Sequence, residues 1–386
     1  MLPLNDVRVI EFCQIAAGPF CGMLLADFGA DVIKVENPEG GDSMRAWPPL
    51  SGGFSENFAS VNRNKRSVTL DLKSPEGLEA ARALVRSANV MIENFRSGVL
   101  DRLGLGYTAL KKDHESLVYC SISAYGQTGP RAQEGGFDLT VQAMSGIMSV
   151  TGEAGGAPVK CGVPLSDFSA GLYAAYAITA ALMDVRRGEV GRHIDVSMLG
   201  ASLGIAALQT SEYFGTGKDP GKLGSAHPRN APYQAFQASD GYFAMAAGND
   251  RLWQSVCKVV SHPEYFNDPR FASTSERAAN QVALKELLEA DFCQQPVEHW
   301  LVAFRDAGVP CTPINSYSQI LSDPHVAHME WIEDLTLPSG VETKTFISPV
   351  IFGEQRLGVR RRPPGLGEHT EEVMAEIAGS IEIPSS

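Results

Sequence analysis

Positions 7–12 (VRVIEF) and 31–36 (DVIKVE) are rich in apolar, largely β-branched residues. Between them CQIAAGPFCGMLLADFGA reads as a loop entering a helix that stops at Gly29. That is a β-α-β unit. Further strands are predicted at 66–72 (RSVTLDL), 90–95 (VMIENF) and 116–126 (SLVYCSISAYG). The stretch SPEGLEAARALVRSA carries the signature of a capped amphipathic helix, with Ser74 as N-cap, Pro75 at the first helical position and Ala80, Ala81, Leu84 and Val85 on one face. Strands that alternate with helices place the chain in the α/β class, with a mostly parallel, doubly wound sheet.

From about residue 185 the pattern changes. A turn (RRGEVGR) leads to a strand (HIDVSM), a helix to about 214 and the Gly/Pro/Lys-rich stretch GTGKDPGKLGSAHPRNAP, which marks a boundary. Beyond it, YQAFQASDGYFAMAAG predicts a hairpin turning at Asp240-Gly241, followed by helices to about 330: a second, smaller α+β domain. In the tail, RRPPGLGEHTEEVMAEIA predicts a short helix capped by Glu368 or Thr370. Two domains also fit the length, since 386 residues exceed the roughly 250–300 at which a single core stops growing.

The formal net charge of −13 argues against nonspecific nucleic-acid binding, which needs a surplus of Lys and Arg. An anionic ligand requires a local basic patch, and NRNKRS (62–67) and GVRRRPP (358–364) are candidates, each equally readable as a solvated loop. The N-terminus lacks the pattern of a signal peptide and no apolar run is expected to reach membrane-spanning length, so neither export nor a membrane partner is expected. Seven scattered cysteines with no CxxC pair predict reduced thiols and no zinc site, and so a cytoplasmic location.

Absent motifs narrow the chemistry. There is no GxGxxG after the first strand, no GxxxxGK[ST], no HExxH and no GxSxG, and the eight histidines show no metal-ligand spacing, so no metal is expected. What remains is the small-residue loop QIAAGPF after the first strand, where open α/β sheets bind ligands, and three carboxylates: Glu93, Asp138 and Asp167. Each is readable as a helix cap or a paired structural group. The alternative for Asp167, at the head of a long uncharged helix, is nucleophilic catalysis. An ordinary aspartate is ionised at neutral pH and needs no base to attack an activated acyl group such as a thioester. Backbone amides at a helix N-terminus or in glycine loops such as Gly135-Gly136 or Gly152 are candidate oxyanion donors.

The segments VIEFCQIAAGPFCGMLLADFGADVIKVE, SVNRNKRSVTLDLKSPEG, VMIENFRSGVLDRLGLGY, CSISAYGQTGP, GVPLSDFSAGLYAA and PPGLGEHTEEV together resemble the class III coenzyme A transferases over nearly the whole chain. The resemblance implies a Rossmann-like large domain (1–215), a small inserted domain (216–335), a C-terminal segment (336–386) returning to the large domain, and an interlocked homodimer. It places Asp167 at the nucleophile position, attacking an acyl-CoA to give a mixed anhydride and then an aspartyl-CoA thioester. It assigns CoA contacts to Gln14, Ile15, Ala16, Lys73, Asn94, Phe95 and Arg102, with coenzyme A as substrate and no tightly bound cofactor. One departure is Asn37, where formyl-CoA transferase has an arginine.

Asp138 matches an acidic active-site position of the family, with a role in ordering the site or binding through water. The related α-methylacyl-CoA racemases need a histidine where this chain has Phe137, which argues against proton abstraction. A silent CoA-binding protein and a thioesterase are the other readings. The stretch GSAHPRNAPYQAF with AAGND is more similar to the dicarboxylate transferases than to the oxalate enzymes. Succinyl-CoA is therefore the expected donor and a short dicarboxylate the expected acceptor, with His227 and Arg229 as candidates for its distal carboxylate or as plain loop residues.

Overall fold

In a computed structural model, which describes residues 1–381, the chain divides into two compact units. The first comprises residues 1–147, 160–218 and the segment from Ala327, and the second residues 148–159 and 219–326.

The first unit is built on six strands: β1 (Arg8–Phe12), β2 (Asp31–Glu36), β3 (Lys65–Thr69), β4 (Val90–Glu93), β5 (Val118–Ser123) and β6 (His193–Ser197). They pair in the order β3-β2-β1-β4-β5-β6, every pair parallel. This is the doubly wound Rossmann-like order, and its topological switch point lies between β1 and β4. The helices that position the site are α1 (Ala17–Asp27), α2 (Pro75–Arg86), α3 (Asp138–Met144), α4 (Leu165–Arg186) and α5 (Met198–Ile205).

Both sheet faces are covered, which is why β1, β2, β4 and β5 send apolar residues to both sides. Val9, Val32, Val90, Ile92 and Cys120 face one core with residues of α1 and α4. Ile10, Ile33, Val68, Met91 and Tyr119 face another with α2 and the C-terminal helix Thr370–Ile381, which supplies Val373 and Ile377.

Two expectations need correction. Helix α4, at 22 residues, is by length and composition apolar enough to cross a membrane, contrary to the reading that no apolar run reaches that span. Its residues serve packing instead: Ala170, Ala174, Ile178 and Ala181 are buried in the sheet core, and a Cβ on Gly171 would lie 2.8 Å from the carbonyl oxygen of Ala17 in α1. The two basic runs, for their part, are not anion sites. Arg63 pairs with Asp27, Arg66 with Asp31, Glu372 and Glu376, and Arg362 with Glu368. Asn64 accepts from the amides of Arg360 and Arg361, and the Arg360 guanidinium donates to carbonyls of α1, so the runs fasten the C-terminal segment to β3 and α1.

In the second unit β7 (Tyr233–Gln237) and β8 (Tyr242–Ala246) form the expected antiparallel hairpin, and a third strand, β9 (Cys311–Pro313), pairs with β8. Phe236, Phe243, Trp253, Phe292 and Phe304 are buried in its core.

Candidate active site

The carboxyl ends of β1 and β4 lie side by side where the strand order reverses, and a cavity of about 460 Å³ opens there. Its lining includes Gln14–Ala17 after β1, Asn94–Ser97 after β4, Glu134–Phe137 before α3, Met198 and Asp167 in the first turn of α4.

The two strand-end loops are joined side chain to backbone. Asn94 Oδ1 accepts from the Gln14 amide at 2.9 Å, and Asn94 Nδ2 donates to the Gln14 carbonyl at 2.8 Å. Just upstream, buried Glu93 accepts from the Phe95 amide at 2.9 Å, fixing the turn. Burial pushes the Glu93 carboxyl up to about 7, against the opposing hydrogen bonds from Ser121 and Phe95.

Asp138 and Asp167 divide the two roles that either of them was able to fill. The residue before α4 is Pro164, which offers no capping side chain, and Asp138 Oδ1 accepts from the Ser166 amide at 2.9 Å in its place. Asp138 Oδ2 accepts from Gln142 Nε2 at 2.7 Å, and Gln142 Oε1 of the same side chain accepts from the Cys161 amide at 2.9 Å. The helix end is thus capped in trans by Asp138, which leaves the Asp167 carboxyl to the cavity. That carboxyl is not the ordinary ionised aspartate expected from sequence. Burial, with a smaller contribution from the charge of Asp138, pushes it up to about 7.

Gly135 and Gly136 permit a close approach across the cavity wall. A Cβ on Gly136 would lie 2.7 Å from Ala124 Cβ, and one on Gly135 would lie 3.0 Å from the Arg96 guanidinium. Arg96 is a cavity residue that the reading of the sequence did not single out, although it follows Asn94 and Phe95 directly in ENFRSG. Phe137 is exposed at the rim.

A second cavity, of about 230 Å³, is lined by Lys73, Asn37, Leu70, Leu72 and Leu103, and shares Gln14 and Phe95 with the first. Arg102 is exposed at the end of the helical turn Val99–Arg102 and lines neither cavity. His227 and Arg229 lie in the other unit, where His227 Nδ1 accepts from the amides of Arg229 and Asn230 at 3.1 Å each, so that the ring organises its own turn. Among the described residues there is no group of three or more His, Cys, Asp or Glu able to hold a metal ion.

Residues 4–370 match the family model described as CoA-transferase family III. The chain is 40% identical over 382 residues to a succinate–glutarate CoA-transferase of Agrobacterium fabrum, covering 97% of this chain and 96% of that one. It is 40% identical over 326 residues to an acetyl-CoA:oxalate CoA-transferase of Acetobacter aceti, covering 84% of each. A crystal structure of a CAIB/BAIF family protein from Brucella suis superposes with a TM-score of 0.86 at 41% identity, covering 97% of this chain and 99% of that one. With a family match spanning both units and a free carboxyl at the switch point of its sheet, the chain belongs to CoA-transferase family III and is an enzyme of that family.

Proposed function

We propose that the enzyme moves coenzyme A from succinyl-CoA to a short dicarboxylic acid through covalent intermediates on Asp167. The observation that carries this reading is the position of Asp167: in the cavity at the switch point, with its helix already capped by Asp138.

The chemistry follows from that carboxylate. Asp167 attacks the thioester carbonyl, the C–S bond breaks, CoA leaves as thiolate, and a mixed anhydride of Asp167 and succinate remains. The thiolate then attacks the aspartyl carbonyl, which expels succinate and leaves an aspartyl-CoA thioester. An incoming carboxylate attacks that thioester and releases the thiolate again. Thiolate attack on the acceptor's carbonyl in the new anhydride yields the product acyl-CoA and regenerates the Asp167 carboxylate. Charge develops on a carbonyl oxygen at each attack, and the Gly135-Gly136 segment beside Asp167 is the candidate donor of backbone N–H groups. The cavity lined by Lys73, Phe95 and Asn37 suits the nucleotide end of CoA, with Lys73 supplying positive charge in an acidic protein.

The names of the relatives favour succinyl-CoA and a dicarboxylate: succinate–glutarate in one, and succinyl-CoA:mesaconate in another from Haloarcula hispanica. A homodimer belongs to this reading. Exposed Tyr176 on α4, and exposed Leu208 and Phe214 on the helix Ala207–Thr216, support a covered apolar face. Initial rates of acyl-CoA formation from succinyl-CoA across a panel of acids test the substrate class. Short dicarboxylates are expected to exceed monocarboxylates of equal length by about tenfold or more in kcat/KM, and equal or faster monocarboxylate transfer would contradict it.

A further inference from the structure

Beneath the stretch Cys13–Pro19, which runs from the end of β1 into the first turn of α1, lies a chain of four buried charges that takes no part in the chemistry above. Glu11 on β1 meets two ammonium groups, Lys34 Nζ at 3.1 Å from Oε1 and Lys65 Nζ at 2.8 Å from Oε2. Lys34 in turn meets Asp42 at 2.9 Å. The four side chains balance in charge, and Glu11, Lys34, Lys65 and Asp42 are each at most 1% exposed. Buried ion pairs seldom add net stability, because desolvation offsets the attraction. Their remaining hydrogen bonds show what they do instead.

Their further partners include Cys13, Ile15 and Pro19, on the stretch that carries the cavity wall Gln14–Ala17, while Lys65 Nζ also donates to Asn62 Oδ1 at 2.9 Å. Lys34 Nζ donates to the Cys13 carbonyl at 2.7 Å, and Lys65 Nζ donates to the Pro19 carbonyl at 2.7 Å. Asp42 accepts the Ile15 amide on both oxygens, at 3.1 and 3.2 Å, and the Met44 amide at 3.0 Å. Ile15 is held at φ +67°, a left-handed conformation strongly disfavoured for a β-branched residue. Its side chain packs against the small apolar cluster of Ala16, Met44, Phe58 and Val61. The strained residue sits between Gln14 and Ala16, all three on the wall that faces Asp167.

We infer that Asp42 and Lys34 are positioning residues for the transfer reaction: their buried ion pair holds Ile15 in its strained conformation, and so shapes the Gln14–Ala17 wall against which the thioester is presented to Asp167. This rests on the function proposed above. The strain stored at Ile15 then serves ligand binding rather than stability, and it is relieved at no steric cost by glycine, which adopts positive φ freely.

Glycine supplies the test. Asp42→Asn retains an acceptor oxygen but loses the ion pair to Lys34. It is expected to weaken CoA binding, read by calorimetry, by about tenfold or more, the factor equivalent to one lost hydrogen bond of ordinary strength. Ile15→Gly alone is expected to change binding less, and the double variant Ile15→Gly/Asp42→Asn is expected to recover part of the affinity lost in Asp42→Asn. Hydrogen exchange at the residue 15 amide gives a readout independent of CoA, with faster exchange expected in Asp42→Asn than in the parent. A purely structural role would lower the melting temperature of Asp42→Asn while leaving CoA affinity and amide 15 protection at the parent values, and that result overturns the inference. So does a double variant whose two losses of affinity simply add. Should Asp42→Asn not fold, Lys34→Met is carried through the same pair of measurements under the same criteria. If the parent binds no CoA while Asp42→Asn still deprotects amide 15, the proposed function fails and the positioning of the loop stands.

Discussion

Asp138 and Asp167 show how two like side chains acquire different tasks from their surroundings. Asp138 spends both oxygens on Ser166 and Gln142, whereas Asp167 is raised to about 7 by burial and by its acidic neighbour. Both residues stand out in the sequence, but their coupling does not, because Asp138 caps a helix that begins far along the chain. A pH prediction follows. Asp167 attacks only as the anion, so kcat/KM is expected to fall as pH drops below about 7 and to reach a plateau above it. Asp138→Asn removes the neighbouring negative charge yet keeps an oxygen for the Ser166 amide, so the acidic limb is expected to move to lower pH. A pH profile of kcat/KM in both proteins checks this, and a limb that stays in place or moves upward counts against the coupling.

At the scale of elements, the local code was legible and the contacts between elements were not. Strand β2 and the Ser74-Pro75 start of α2 follow from apolar runs and capping chemistry, and they occur where the pattern puts them. The purpose of the small residues in α4 is different in kind, since it depends on a partner distant in sequence. Gly171 stands where a Cβ would meet the Ala17 carbonyl at 2.8 Å and the Phe20 ring at 3.0 Å, so α1 and α4 approach closely only because of it. Backbone cannot yield as a flexible side chain does. Gly171→Ala is therefore expected to destabilise the fold by about 1–3 kcal/mol despite the better helix propensity of alanine. A urea midpoint at or above that of the parent would show that the helix pair relaxes freely. Because Asp167 rides on the first turn of this helix, the same variant is expected to lose transfer activity as well.

For the molecule as a whole, charge is the property least legible in the sequence. The runs at 62–67 and 358–364 look like anion patches or solvated loops because local composition shows cations without their partners. Folding brings Asp27, Asp31, Glu372 and Glu376 to them, and the runs become the fastening of the C-terminal segment to the sheet. What survives as a candidate site is instead a set of short motifs collected at one topological switch point: Gln14–Ala17, Asn94–Phe95 with the overlooked Arg96, and Asp167. Covalent transfer in this enzyme stands or falls on Asp167. Its most direct test is incubation of the protein with succinyl-CoA followed by hydroxylamine, with intact mass and peptide mapping and Asp167→Ala run in parallel. A hydroxamate confined to the peptide bearing Asp167 and absent from Asp167→Ala is the predicted result. A protein that binds CoA and transfers it to an acid without any adduct at this residue would contradict covalent catalysis by Asp167.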